Sequence, residues 1–447
     1  MITNALKHGQ PFRAVIAMNG LLDDLRKDIK KEFQRFKGKE QPAFIDETSR
    51  EDFLQSLPKD LRRPLAPALL PWPELPHERG WNGMNQNSLF LAAAGGSLIV
   101  TDDDLFPIPA QRMGSTLSGL HISQEHGATT TTRVRDRQDA LQGVESCELD
   151  LVQEYQNYLG ASLTSLGIEG APPQARVNLM SPGTYGDSGY SRARAFLSLK
   201  GKERKQAYGL GYANMRYGRE LIRIPQGDTL SRSLHFLSMQ SGHDLRVCPP
   251  PYLAFGRSGD SLYALTLRII YTQGYTYYPS WGLLHGPEGR RPFQRQDLLG
   301  FAPYVSELLM AASLAVLPPA EMTKPTDRLK HLGKGLGELA RGPKAIIEET
   351  VFAHWSQSAR AYRESIQRLL EKYRRQPKEW AHDTKAHLQE VDRYLVDPRL
   401  LFSAPEAAFT LEEFAMILQK YGGTLEYWPE LWEHLSRVPM EGKPLLQ

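Results

Sequence analysis

Apolar and polar positions follow two rhythms over the first hundred residues. Phe12 to Met18 is a short apolar run that predicts a strand, the first of the fold. Leu21, Leu25, Ile29, Phe33 and Phe36 then recur at helical spacing and predict an amphipathic helix. Ala43 to Ile45 is a second short run, and Thr48-Ser49-Arg50-Glu51 reads as the cap of a brief helix reaching Leu57. The proline-rich residues 58–80 predict an irregular loop. Asn85 to Ala94 predicts a helix that Gly95-Gly96 ends. Ser97 to Thr101 predicts a buried strand, and Asp102, Asp103 and Asp104 follow it without a break.

Further on the rhythm loosens. Residues 105–140 predict loops, including the polar tract Thr129 to Thr132, before a helix over Glu145 to Leu159. Residues 170–300 are dense in Gly, Tyr and Pro and predict short strands. From about 303 the pattern turns helical. Val351, Trp355, Ala359, Tyr362, Ile366, Leu369 and Tyr373 step by three and four, which is one buried stripe of a long helix over Glu348 to Arg375. Two more helices are expected at 382–395 and 410–421. Pro318, Pro319 and Pro325 cluster near the change in character. The expected organisation is an α/β domain over 1–305 and an α-helical C-terminal domain over 306–447. Alternating strands and helices imply a mostly parallel sheet with helices on both faces, and ligands then bind outside the carboxyl ends of the strands. The three acids stand at that place.

Composition narrows the function classes. The chain has 447 residues, a formal charge of +3 and two cysteines, Cys147 and Cys248. Two thiols build neither a disulfide framework nor a multi-thiolate metal site. A charge of +3 gives no argument for nucleic acid as a partner. The longest apolar run, Leu308 to Leu317, is too short for a membrane span and stops at Pro318. The N-terminus lacks an apolar signal core, so the expected location is cytoplasmic.

Three adjacent carboxylates repel one another unless something positive neutralises them. A solvated loop paired with arginines would do so, and so would a hard cation. Magnesium or manganese takes one or two carboxylates and completes its shell with water and phosphate oxygens, which points to a phosphorylated donor.

The contiguous stretch Gly83-Met84-Asn85-Gln86-Asn87, an apolar helix, Gly95-Gly96 and Ser97 to Asp104 resembles the core of GT-A-fold glycosyltransferases, especially those related to family 2. The resemblance implies a GT-A-like, Rossmann-like mixed sheet with flanking helices, and a Mn²⁺ or Mg²⁺ cofactor. It implies a nucleotide-sugar donor bound by Asn87, Asp102 and Asp103, and a metal held by Asp102 and Asp104. Gln86 stands where the family commonly has Arg. Arg257-Ser258-Gly259-Asp260 is similar to the family's acidic base motif, with Asp260 in the base position and Gly259 replacing the first acid. From the residues alone Asp260 reads equally well as a helix-capping turn. Many GT-A enzymes place a late histidine on the metal, and His285 in Ser280-Trp281-Gly282-Leu283-Leu284-His285 occupies that place. Trp281 belongs with Tyr271, Tyr275, Tyr277 and Tyr278 to an aromatic cluster that is either core or a substrate-stacking wall.

The function implied is an inverting, metal-dependent glycosyltransferase acting on a hydroxyl of a protein, peptide or small-molecule acceptor. The helical C-terminal part would shape the acceptor site or a homo-oligomer contact. The alternative is a scaffold of the same shape that binds without turnover, favoured by Gln86 and Gly259. A nucleotidyltransferase ranks lower, because Phe12 to Asp28 carries no glycine- and lysine-rich phosphate loop. Gly333-Lys334-Gly335-Leu336-Gly337 lacks the order of such a loop and reads as a helix break. Tyr185 to Gly189 reads as a turn-rich loop in the acceptor region that either lines a cleft or is only a turn, and His121 and His126 read as surface residues.

Overall fold

The computed structural model describes residues 2–19, 23–34, 42–75, 81–114, 119–123, 131–190, 192–233, 236–289, 291–373, 377–404, 409–439 and 442–446. Leu21, Phe36, His126 and the first half of the Thr129 to Thr132 tract lie outside the described residues. The described chain is mixed α/β with a helical C-terminal region.

Fourteen strands are described. The strands β1 (Val15–Ala17) and β2 (Ala43–Ile45) pair in parallel. The others are β3 (Ser97–Thr101), β4 (Leu105–Arg112), β5 (His121–Ser123), β6 (Thr131–Arg133), β7 (Val144–Ser146), β8 (Arg176–Met180), β9 (Gly183–Asp187), β10 (Glu220–Arg223), β11 (Thr229–Ser231), β12 (Gln240–Asp244), β13 (Gly274–Tyr278) and β14 (Trp281–His285). They form two six-stranded sheets, ordered β3-β12-β8-β13-β11-β5 and β6-β10-β9-β14-β4-β7. Both sheets are mixed, in place of the mostly parallel sheet that the strand–helix alternation predicts.

The chain crosses between the sheets side by side. Strand β8 leads into β9 and β13 into β14, and both members pair in parallel on each side of the crossing. Another crossing runs from β3 to β4, and its linker is Asp102-Asp103-Asp104. The acids thus sit at the C-terminal end of β3, where the two sheets meet. Because β4 runs antiparallel to β14, the start of β4 lies against the end of β14, with Leu105 opposite His285. Sequence pattern hides β4 behind Pro107 and Pro109. Between Leu283 and Leu284 its register slips, so that Pro107 and Ile108 bulge out of the ladder.

The helix before β3 spans Asn82–Ala92 and buries most of its surface. Its middle is tied down by the buried Arg50, whose Nε donates to Ser88 Oγ at 2.9 Å and whose Nη2 donates to the Met18 carbonyl at 3.0 Å. Arg50 lies on the helix Glu47–Ser56, which Asp46 caps, two residues earlier than the predicted Thr48 cap. The proline-rich stretch is not a plain loop: Lys59–Leu69 is a helix carrying Pro64 and Pro67. The predicted break at Gly333 is likewise absent, since Pro325–Arg341 is one helix. A Cβ on Gly333 would lie 2.5 Å from the Gly422 carbonyl oxygen of the helix Leu411–Ser436. These glycines let two helices touch backbone to backbone, and glycine here is a packing device.

Of the predicted stripe of the long helix, Val351, Trp355, Ala359, Ile366 and Leu369 of Lys344–Tyr373 are buried, while Tyr362 and Tyr373 are half-buried. The largest core takes side chains from both sides of residue 305, from Phe53, Phe90 and Phe255 to Leu332, Trp428 and Leu435. Trp428 Nε1 also donates to the Pro249 carbonyl at 2.9 Å, which fixes the C-terminal helices to the α/β part.

Candidate active site

Backbone bonds hold the triple acid in place. The Asp102 amide donates to the Met239 carbonyl at 2.9 Å, and the Gly286 amide donates to the Asp104 carbonyl at 3.0 Å. One bond ties the linker to the first sheet's β12 end, the other to the second sheet's β14 end. Asp104 consequently faces His285, with Oδ2 lying 3.2 Å from Nε2.

The orientation of His285 follows from its other nitrogen. Nδ1 lies 2.7 Å from the Asp187 carbonyl oxygen, which only accepts, so Nδ1 carries a proton and donates. Nε2 therefore meets the Asp104 carboxylate either as a lone pair or as a second N–H. A ring held this way by a backbone carbonyl is the usual arrangement of a metal-binding histidine. Asp187 is itself clamped. Arg219 Nε donates to its Oδ2 at 2.6 Å, and the Gly189 amide donates to its Oδ1 at 2.8 Å. Gly189 has a positive φ of 69°, and a Cβ there would lie 2.4 Å from Met239 Cε and 3.5 Å from His285 Cε1.

The acids crowd one another. Asp102 is pushed up to about 6 by burial first, then by the charges of Asp104, Asp260 and Asp103, with His285 opposing. By area Asp102 is exposed. Exposure together with desolvation describes a side chain on the wall of a cleft, open to water on one side and dense with protein on the other. Asp260 stands at the start of the helix Gly259–Ile270 and accepts from the Ser238 amide at 3.2 Å. Burial raises its pKa, while the Ser238 bonds and the Arg223 charge pull the other way. Asp102, Asp103, Asp104, Asp260 and His285, far apart in sequence, share one electrostatic neighbourhood.

Two expected ligand-binding residues stand elsewhere. Asn87 is fully buried. Its Nδ2 donates to the Ala68 and Tyr252 carbonyls at 3.0 Å each, and its Oδ1 accepts from the Tyr252 amide at 2.7 Å. The amide is spent on the backbone of Ala68 and Tyr252, so Asn87 acts as a structural peg at this position. Trp281 is 3% exposed, packed edge-on to Tyr155 at 6.2 Å, and begins the strand that His285 ends. It is core, and the aromatic wall reduces to packing at this position.

Arg219, Ser238 and Met239 carry no mark in the sequence pattern. Asp187 lies in the stretch read as a turn-rich loop, whose first three residues end the buried strand β9. Its glycines were the signal: they leave room beside His285.

Among the described residues, no group of three or more His, Cys, Asp or Glu side chains is gathered closely enough to cage an ion. Asp104 and His285 are one carboxylate and one imidazole, so an ion held between them would need its remaining ligands from water or a bound phosphate. Two hollows on the helical region, one of about 620 Å³ beside Phe402 and Phe409 and one of about 360 Å³ beside His331 and Tyr427, contain none of these residues. Among the described residues no helix is long and apolar enough to cross a membrane. Comparison of the chain with protein-family models, with curated proteins and with solved structures finds no match in any of the three.

Proposed function

We propose that the chain is a metal-dependent glycosyltransferase of GT-A type, which moves a sugar from a nucleotide-sugar donor to a hydroxyl acceptor with inversion. The observation that carries the reading is the approach of His285 Nε2 to Asp104 at 3.2 Å, with Asp102 and Asp260 in the same field of charge. These residues come from the linker after β3, the end of β14 and a helix start. A structural ion pair would not need further carboxylates pressed around it.

Asp104 and His285 would hold the ion, and Asp102 and Asp103 would face the donor and the ion's water shell. Bound Mn²⁺ or Mg²⁺ supplies Lewis-acid neutralisation of the charge on the departing nucleoside diphosphate. Asp260 takes the proton of the acceptor hydroxyl while that oxygen bonds to the anomeric carbon, and the bond to the diphosphate breaks on the opposite face. A carboxylate raised above its ordinary value is the stronger base for this task. The transition state gathers positive charge on the sugar ring, and the surrounding carboxylates stabilise it.

Release of nucleoside diphosphate from UDP- and GDP-sugars, with water as acceptor and Mn²⁺ present, tests the reading. Turnover in the wild type that disappears with chelator and in Asp104→Ala is expected. Donor binding without any turnover would support instead the scaffold that binds and does not react, the reading that Gln86 and Gly259 favour.

A further inference from the structure

Behind Asp260 lies a buried chain of polar groups that leads back to the helix Asp260 stands on. Ser241 Oγ is 2.8 Å from His243 Nε2, and His243 Nδ1 is 3.0 Å from the Tyr263 hydroxyl. Ser241 Oγ also lies 3.5 Å from the Ser238 carbonyl oxygen, and the Ser238 amide donates to Asp260. Ser241, His243 and Tyr263 are all buried, with exposures of 0%, 1% and 2%. Aromatic rings enclose them: Phe90 packs edge-on to His243 at 4.8 Å, and Tyr252 stacks on Tyr263 at 4.3 Å.

The direction of the protons is fixed by counting donors. Burial holds the His243 imidazole neutral, so it has one N–H and one lone pair. If Nδ1 carried the proton, Ser241 would have to donate to Nε2 and the Ser238 carbonyl would lose its Ser241 bond. If Tyr263 donates to Nδ1, then Nε2–H donates to Ser241, and Ser241 donates to the Ser238 carbonyl. Only the second order uses every proton. Asp260 and Tyr263 lie three residues apart, on one face of the helix Gly259–Ile270. One helix face is therefore stapled twice to the segment 238–243, once through each residue. The same segment holds Asp102 through the Met239 carbonyl.

We propose that Tyr263, His243 and Ser241 are positioning residues that fix the backbone of Ser238, and through its amide aim the Asp260 carboxylate at the acceptor hydroxyl. The inference rests on the proposed role of Asp260 as the base. The relay bonds end at Ser238 and Asp260, and Asp102 keeps its own bond to the Met239 carbonyl, so the effect falls on turnover and not on donor affinity.

Tyr263→Phe removes one hydroxyl and keeps the stacked ring; Ser241→Ala breaks the same chain nearer to Asp260 and serves as the second variant. Nucleotide release from a UDP- or GDP-sugar with Mn²⁺ is followed for both beside Asp260→Asn. The carboxyl resonance of Asp260 is titrated in parallel. The expected result is a fall in kcat of about tenfold with donor KM unchanged, because a small misaiming of a base costs one to two powers of ten. The Asp260 midpoint should rise as its Ser238 bond loosens. Unchanged kcat and an unmoved midpoint in the two relay variants, with Asp260→Asn inactive, overturn the positioning role and leave the base role standing. Release that survives Asp260→Asn overturns the base role; the Asp260 midpoint alone then decides whether the relay acts on Asp260.

Discussion

Replacing Asp102 by Asn should make the protein more stable at neutral pH. The carboxyl is raised from an ordinary value near 3.8 to about 6 by burial and by its acidic neighbours. Between those two values the folded chain keeps a proton that the unfolded chain has released. Stability therefore falls as pH rises through that window, and the deficit is complete above it. A shift of this size corresponds to about 3 kcal/mol for a fully desolvated group. Asp102 is exposed on one side, so water screens it and a value of about 1 kcal/mol is expected. Asn has the same shape without the charge. Equilibrium unfolding in urea, run on both proteins at about pH 4 and about pH 7.5, measures the difference on either side of the window. The Asn variant should match the wild type in acid and exceed it at the higher pH. A variant that is no more stable at about pH 7.5, or whose advantage is the same in acid, would refute the crowding of carboxylates at this linker.

Other perturbations separate the site from its scaffold. Asn87→Ala should cost about 2–4 kcal/mol in unfolding, because it strands buried backbone groups, while nucleotide affinity in the surviving folded protein stays unchanged. Gly189→Ala should weaken Mn²⁺ binding, measured by calorimetry, since its Cβ would press on Met239 and crowd His285. Acid should destabilise the protein through His243, whose burial lowers it from 6.5 to about 3. The unfolded chain binds that proton first, so stability is lost as pH falls below about 6.5, with a steeper acid limb in the wild type than in His243→Gln.

The parts of the fold that were legible in the sequence are those written locally. An apolar helix, a glycine stop, an apolar strand and three acids are contiguous and set by their neighbours in the chain, although the strand stands at the sheet edge with only Val100 buried, in place of the buried strand expected. The long stripe from Val351 to Leu369 is legible for the same reason. The helix Lys59–Leu69 was hidden because Pro64 and Pro67 suggest a loop, yet their carbonyls are engaged from outside, by Thr424 Oγ1 at 3.1 Å and Trp72 Nε1 at 2.8 Å. Strand β4 was hidden by prolines tolerated at its bulge. Asn87 and Trp281 show a different limit. An asparagine that binds a ligand and one that ties backbone together are the same letter, and the difference lies in distant residues such as Tyr252. The clamp of Asp187 on His285 joins positions 98 apart in the chain, which no local pattern marks.

Calorimetry of UDP and GDP binding, with and without Mn²⁺, tests the junction of the two sheets most directly. Nucleotide should bind the wild type only with the ion present, and this binding should be lost in both Asp104→Ala and His285→Ala. Binding that needs no ion, or that both variants retain, would contradict a cation site between Asp104 and His285.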